Sequence, residues 1–159
     1  MSTLLTQDLL EQTRRAIAML GDTIRKFEPR QWTQGISDFQ TPAKVAYHTI
    51  ECLDAYFRED PNADYAWGHR FGAPFWELSD EEQPSQEALL AYLEDLETRI
   101  ARELSSLTDD QLTAPHDEQR RHAETRLGHY IYALRHTMHH HGALTLLSVY
   151  HGNRVGSWA

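Results

Sequence analysis

The chain has 159 residues, 40% of them hydrophobic, which is enough for one domain with a sizeable core, and we expect a single domain over residues 1–159. Fifteen Lys and Arg against 24 Asp and Glu give a formal charge of -9, which argues against nucleic acid and anionic membranes as partners. There is no signal-peptide pattern and no apolar run of about 18 residues, so we expect a cytoplasmic protein, and the lone Cys52 excludes an intrachain disulfide.

Four long segments place apolar residues at the helical spacing of three, four or seven, and no segment of similar length alternates like a strand. The first segment begins around Leu5 and is predicted to end near Pro29. The second opens with Thr41 and Pro42, a favourable N-cap followed by proline at the first helical position. It is predicted to run to about Asp60.

The stretch from Pro61 to Pro84 mixes glycine, proline and acidic residues with four bulky aromatics and shows no sustained period. We interpret it as a long crossover connection that packs over the helices or against a second subunit, because so many aromatic rings rarely stay in water. A third helix follows Ser85, and a charged loop containing Pro115 leads to a fourth. The aromatic residues of the crossover are Trp67, Phe71, Phe75 and Trp76.

The fourth predicted helix runs from about Thr125 to Tyr150 and is closed by Gly152. Four helices joined by one long connection, between helices 2 and 3, predict an all-α four-helix bundle. The fourth helix carries apolar residues on two faces. It is therefore expected either to be central in the bundle or to meet a second subunit.

His136 and His140 stand four residues apart on the fourth helix, a spacing that places two imidazoles on one face and suits a shared metal ion. His48 points into apolar surroundings on the second helix. Three neutral imidazoles from two helices would leave coordination positions open to water or substrate, as in catalytic metal sites. An all-nitrogen set suits zinc, nickel, iron or copper rather than calcium or magnesium, and zinc, nickel and iron are the divalent ions we expect.

The neighbours of these histidines allow more than one interpretation. Cys52 is either close to the metal or a small buried hydrophobe, and Glu51 is either a general base or part of a solvated helix face. His129 is a candidate proton shuttle. His139 and His141 point away from the stripe through His136 and are assigned supporting or surface roles.

These residues resemble the DinB/YfiT superfamily, which includes metal-dependent enzymes and many members of no known activity. The family signature of a His, three residues, a second His, a variable residue and Gly is matched from His136 through His140 to Gly142, with Ala143 in place of the common Gln. The segment AYHTIECLDAYF, which contains His48, resembles the element that supplies the remaining ligand. The resemblance covers nearly the whole chain and includes Trp32 and the HGNRVGSW tail.

The resemblance implies an up-down-down-up four-helix bundle, usually a homodimer, in which His48, His136 and His140 hold zinc, nickel or a similar ion. Some relatives are transferases or isomerases that use a low-molecular-weight thiol such as bacillithiol or mycothiol. The replacement of Gln by Ala143 leaves open which acceptor serves the second nitrogen of a metal-bound imidazole.

The leading hypothesis is therefore a metal-dependent enzyme of thiol transferase or hydrolase type that acts on a small molecule, with no catalytic acid or base identified. The alternative is a non-catalytic metal-binding or stress-response dimer, and a third interpretation is a helical dimer in which the histidines are buried and bind no metal. Because ligating histidines must be neutral, metal affinity is expected to fall as the pH drops below about 6.

Overall fold

The computed structural model describes residues 4–58, 64–115 and 123–159. Within these ranges the chain forms α-helices and short turns and contains no β-strand, which confirms the all-α prediction. No helix within the described ranges combines the length and the apolar composition that a membrane span requires. The α-helices of the described ranges are α1 (Leu4–Ile24), α2 (Pro42–Tyr56), α3 (Gln86–Ser106), α4 (Asp109–Thr113) and α5 (Arg126–Tyr150).

Three of the predicted helix starts, those of α2, α3 and α5, agree with the structure, and a capping side chain precedes each of them. Thr41, Ser85 and Thr125 have extended backbone angles, and each side-chain oxygen accepts a hydrogen bond from the backbone N–H three residues later. After α5 the backbone turns at Gly152, whose φ of 75° is one that glycine adopts without strain. Local chemistry alone therefore sets these boundaries.

Two helical features differ from the sequence expectation. α2 ends at Tyr56, whereas the sequence predicted an end near Asp60, a residue outside the described ranges. The helix stops because Phe57 leaves helical geometry, and the Phe57 ring stacks on Tyr130 of α5 with 4.6 Å between the ring centres. α4 was predicted as loop. A helix of five residues is too short to show a period in sequence, although the capping box formed by Thr108 and Gln111 marks its start.

The long helices pack in pairs. α2 lies mainly against α5, α1 lies against α3 and α5, and a smaller contact joins α2 to α3. Their buried apolar side chains form one contiguous core cluster that includes Leu20, Ile50, Leu96 and Leu144. The pairing of α2 with α5 brings the face that carries His48 opposite the face that carries His136 and His140.

The described part of the crossover, residues 64–84, contains turns and one 3-10 turn (Asp80–Glu82) rather than an α-helix. Phe71 and Phe75 pack partly buried against the core, as expected, whereas Trp67 and Trp76 stay exposed at 40% and 46%. Burial of the aromatic segment is therefore only partial.

Hydrogen bonds fasten the crossover at several points. The Tyr47 hydroxyl donates to the carbonyl of Ala73 at 2.9 Å, and the Trp32 indole N–H donates to the carbonyl of Pro84 at 2.8 Å. These bonds satisfy backbone carbonyls that would otherwise be buried without a partner, which would cost free energy.

Asp54 of α2 is the centre of the strongest anchor. The buried Asp54 carboxylate accepts hydrogen bonds from the hydroxyls of Tyr65 (3.1 Å) and Tyr92 and pairs with the Arg99 guanidinium. The His69 Nε2 lies 3.4 Å from the same carboxylate. Side chains from α2, α3 and the crossover therefore meet on one charged group.

Candidate metal centre

The three histidines predicted as ligands converge between α2 and α5. The Nε2 atom of His140 lies 3.2 Å from the Nε2 atom of His48 and 3.2 Å from that of His136. One ring nitrogen from each of the three lies within 4.8 Å of the others, and all three residues are half-buried. Helical spacing joins His136 to His140, and the packing of α2 on α5 adds His48.

The nitrogen spacing fits a metal ion. Nitrogen ligands about 2.0–2.1 Å from tetrahedral zinc lie roughly 3.3 Å apart, close to the two observed separations of 3.2 Å. A single N–H···N hydrogen bond satisfies only two of three clustered nitrogens, whereas a cation accepts a lone pair from each. The arrangement can hold a divalent ion without rearranging the helices, and metal binding itself stays a prediction.

Burial keeps two of the three candidate ligands, His48 and His140, in the form that binds metal. Desolvation, with added repulsion from His48, His136 and His139, lowers the pKa of His140 to about 4. Desolvation also lowers the pKa of His48. Both imidazoles are neutral at neutral pH, so a metal need not displace a proton from either of them.

These pKa shifts change the expected pH dependence. A histidine whose pKa is lowered takes up a proton only at lower pH. Protons therefore begin to compete with the metal for His48 and His140 at a pH below about 6, the value expected for free imidazoles. We expect zinc affinity to change little between pH 8 and about 6, and to fall progressively towards pH 4. Competition titration with a zinc-sensitive dye, with circular dichroism to confirm folding at each pH, measures this profile. Affinity that stayed flat to about pH 3.5 would contradict histidine ligation.

The residues beside His48 on α2 have structural surroundings. The Cys52 Sγ lies 3.6 Å from the His48 Nδ1, and burial raises the pKa of this thiol to about 12, so it stays protonated. Glu51 is wholly buried and accepts a hydrogen bond from the backbone N–H of Gly68, which overturns the expectation of a solvated face. The crossover covers this face of α2, an arrangement that helical periodicity does not reveal. Burial also raises the pKa of the Glu51 carboxyl.

The other histidines of α5 separate into distinct environments. His129 is buried and its Nε2 donates to the carbonyl of Tyr56 at 3.1 Å. His139 is exposed, but His141 is buried with its Nε2 3.0 Å from the Thr23 hydroxyl of α1. A surface role for His141 was therefore wrong, because α1 packs on that side of α5.

Aromatic rings lie against His48 and His136, an arrangement that sequence reasoning did not connect to the site. Phe75 of the crossover lies with its ring centre 5.2 Å from that of His48, and Tyr56 lies 5.4 Å from His136. Tyr132, one helical turn before His136, stacks on it at 6.2 Å. The spacing of Tyr132 from His136 was a usable signal, whereas nothing in the sequence places Phe75.

A cleft of about 330 Å³ opens beside His48 and His140. Most of its lining is apolar and comes from α2, α5, the crossover and the loop before α2. The sequence pattern does not locate it because the loop residues have no helical period. The cleft is lined by Ile36, Phe39, Gln40, Lys44, Val45, His48, Phe75, His139, His140, Ala143, Leu146 and Leu147.

Comparison with known families supports the resemblance seen in the sequence. The sequence pattern of the DinB superfamily matches residues 7–144, a range that contains all three converging histidines and most of α5. A comparison with curated proteins gave no match. Since the match extends over most of its length, the chain belongs to the DinB superfamily.

Proposed function

We propose that this protein is a metal-dependent enzyme of thiol transferase or hydrolase type, with zinc, nickel or iron held by His48, His136 and His140. The observation that carries the proposal is the convergence of three imidazole nitrogens, from His48, His136 and His140, beside an open cleft that His48 and His140 also line. A set of three protein nitrogens leaves a coordination position for water, a thiol or a carbonyl.

The chain's own residues would prepare the site for this chemistry. The three imidazoles hold the ion, and the rings of Phe75 and Tyr56 limit the access of water to His48 and His136. The cleft would hold the small-molecule substrate beside the metal site. When bound, the ion would lower the pKa of a coordinated water or thiol towards neutrality, or polarise a carbonyl.

We also infer a single domain built as an up-down-down-up four-helix bundle. Support comes from the pairing of α1 with α3 and of α2 with α5, from the long connection between α2 and α3, and from the one contiguous core. We further propose a homodimer. Exposed apolar side chains of α5 outside the cleft, namely Ile131 and Val149, supply surface that a second copy would cover.

One observation favours the alternative of a non-catalytic metal-binding or stress-response protein. Glu51, the carboxylate nearest to His48 along α2, faces Gly68 of the crossover and is not among the three side chains of the metal group. If the reaction needs a general base, a described residue other than Glu51 has to supply it. Otherwise the metal-bound nucleophile has to react without a general base.

Turnover measurements separate the two functions. We expect protein loaded with one equivalent of zinc, nickel or iron to catalyse thiol addition or hydrolysis in a panel that pairs low-molecular-weight thiols, or water, with small electrophiles and esters. His136→Ala should lower that turnover about 100-fold or more, since it removes a ligand of the catalytic ion. His151→Ala, a histidine at the end of α5 outside the cleft, should leave turnover unchanged. Full metal loading without turnover on any pair would favour the non-catalytic alternative.

A further inference from the structure

Exposed apolar side chains collect at the mouth of the cleft. Ile36, Phe39 and Leu146 are 54%, 66% and 61% exposed, and all three line it. The first two come from the loop before α2 and the third from α5. Exposed apolar side chains grouped around a concavity are typical of a ligand-binding surface.

The inner part of the cleft continues the apolar lining. Val45 and Leu147 are buried, and Phe75 and Ala143 are partly buried, so a ligand that enters meets hydrocarbon on most sides. His48 and His140, two of the proposed metal ligands, are half-buried and also line the cleft. Gln40 and His139 also line the cleft but are exposed to water, so a metal ion on His48 and His140 would supply its main polar anchor.

The lysine in the lining is already paired. The Nζ atom of Lys44 lies 2.8 Å from the Asp80 carboxylate and donates to the carbonyl of Asp38 at 2.7 Å. The Lys44 side chain is 11% exposed. Its charge is balanced by Asp80, so Lys44 fastens the loop and the 3-10 turn at the rim and offers little attraction to an anion.

We infer that the cleft binds a small molecule with an uncharged aliphatic or aromatic tail and one metal-coordinating head group. The inference rests on the proposed metal site, since the ion supplies the anchor for the head. The cleft has a volume of about 330 Å³, which accommodates a ligand of roughly eleven non-hydrogen atoms if each occupies about the 30 Å³ of a water molecule.

A hydroxamate series tests the tail directly. Zinc-loaded protein, its metal content measured first by elemental analysis, is titrated calorimetrically with acetohydroxamate, hexanohydroxamate and adipic acid monohydroxamate. Hexanohydroxamate carries four more methylenes than acetohydroxamate. Because each buried CH₂ strengthens binding about three- to fourfold, we expect it to bind about 100-fold more tightly. The carboxylate-ended chain should bind more weakly than hexanohydroxamate, because its charge would lie among the apolar side chains of the mouth rather than in open water.

A pair of serine variants assigns the gain to the cleft. Ile36→Ser at the mouth should weaken hexanohydroxamate about fivefold and leave acetohydroxamate unchanged, since only the tail reaches that side chain. Leu5→Ser, an exposed leucine of α1 outside the cleft, should change neither affinity.

The outcomes distinguish the inference from the proposed function. Equal affinity of the short and long hydroxamates for fully loaded protein would overturn the inference and leave the metal site intact. Equal affinity of hexanohydroxamate and adipic acid monohydroxamate would contradict the inference that the ligand has an uncharged tail. If the protein takes up no zinc, the proposed function is wrong, and so is the inference that a metal ion binds the head group of the ligand.

Discussion

Replacing His48, His136 or His140 by alanine is expected to reduce the metal content of the purified protein from about one equivalent to below about one tenth, because two imidazoles hold zinc far less tightly than three. The structure places the three nitrogens within 4.8 Å of one another, so each contributes to a single site. Elemental analysis of untagged protein, purified without metal columns or chelators, measures the content.

His139→Ala is the matched control for this experiment. His139 is exposed on the same helix, and its ring centre lies only 4.9 Å from that of His140, but its nitrogens are not part of the three-histidine group. We expect this variant to keep the metal content of the parent. Loss of metal in His139→Ala alone would mean that the ion binds to the surface run of histidines. A parent that takes up no added ion would favour the interpretation without metal.

Asp54→Ala is expected to lower the free energy of unfolding by about 3–4 kcal/mol, because it leaves the partly buried Arg99 charge without its partner. The same change deprives the hydroxyls of Tyr65 and Tyr92 of their acceptor. Urea unfolding followed by circular dichroism should show a lower midpoint with an unchanged slope.

Asp95→Ala supplies the comparison for Asp54. Asp95 pairs with Arg70 across α3 and the crossover, but its side chain is 63% exposed against 10% for Asp54. Exposed ion pairs contribute about 0–1 kcal/mol, so this variant should unfold close to the parent. Similar midpoints for the two variants would show that the Asp54 cluster does not hold the crossover in place.

Features that depend on neighbours along the chain could be predicted from the sequence. The N-caps Thr41, Ser85 and Thr125 act on backbone groups three residues away, and they mark the observed starts of α2, α3 and α5. The pairing of His136 with His140 is likewise a matter of helical spacing. His48 was added from its apolar surroundings on the second predicted helix, and the family resemblance implied the same residue. That the three histidines bind a metal stays a prediction.

The environments of Glu51 and His141 could not be predicted in the same way. Helical periodicity gives the direction of a side chain relative to its own helix, but not which element lies in that direction. The crossover covers Glu51 and α1 covers His141, so both are buried where the pattern indicated solvent or surface roles.

The sequence by itself determined the helical segments, their capped starts and the two-histidine face of α5, because these depend on interactions within a few residues. Only the tertiary structure decided that His48 meets His140, 92 positions away in the chain, and that the loop before α2 completes an apolar cleft beside them. It also decided that Asp54 joins α2, α3 and the crossover. Such contacts depend on how helix faces pack on one another, and many packings are compatible with one pattern of apolar residues.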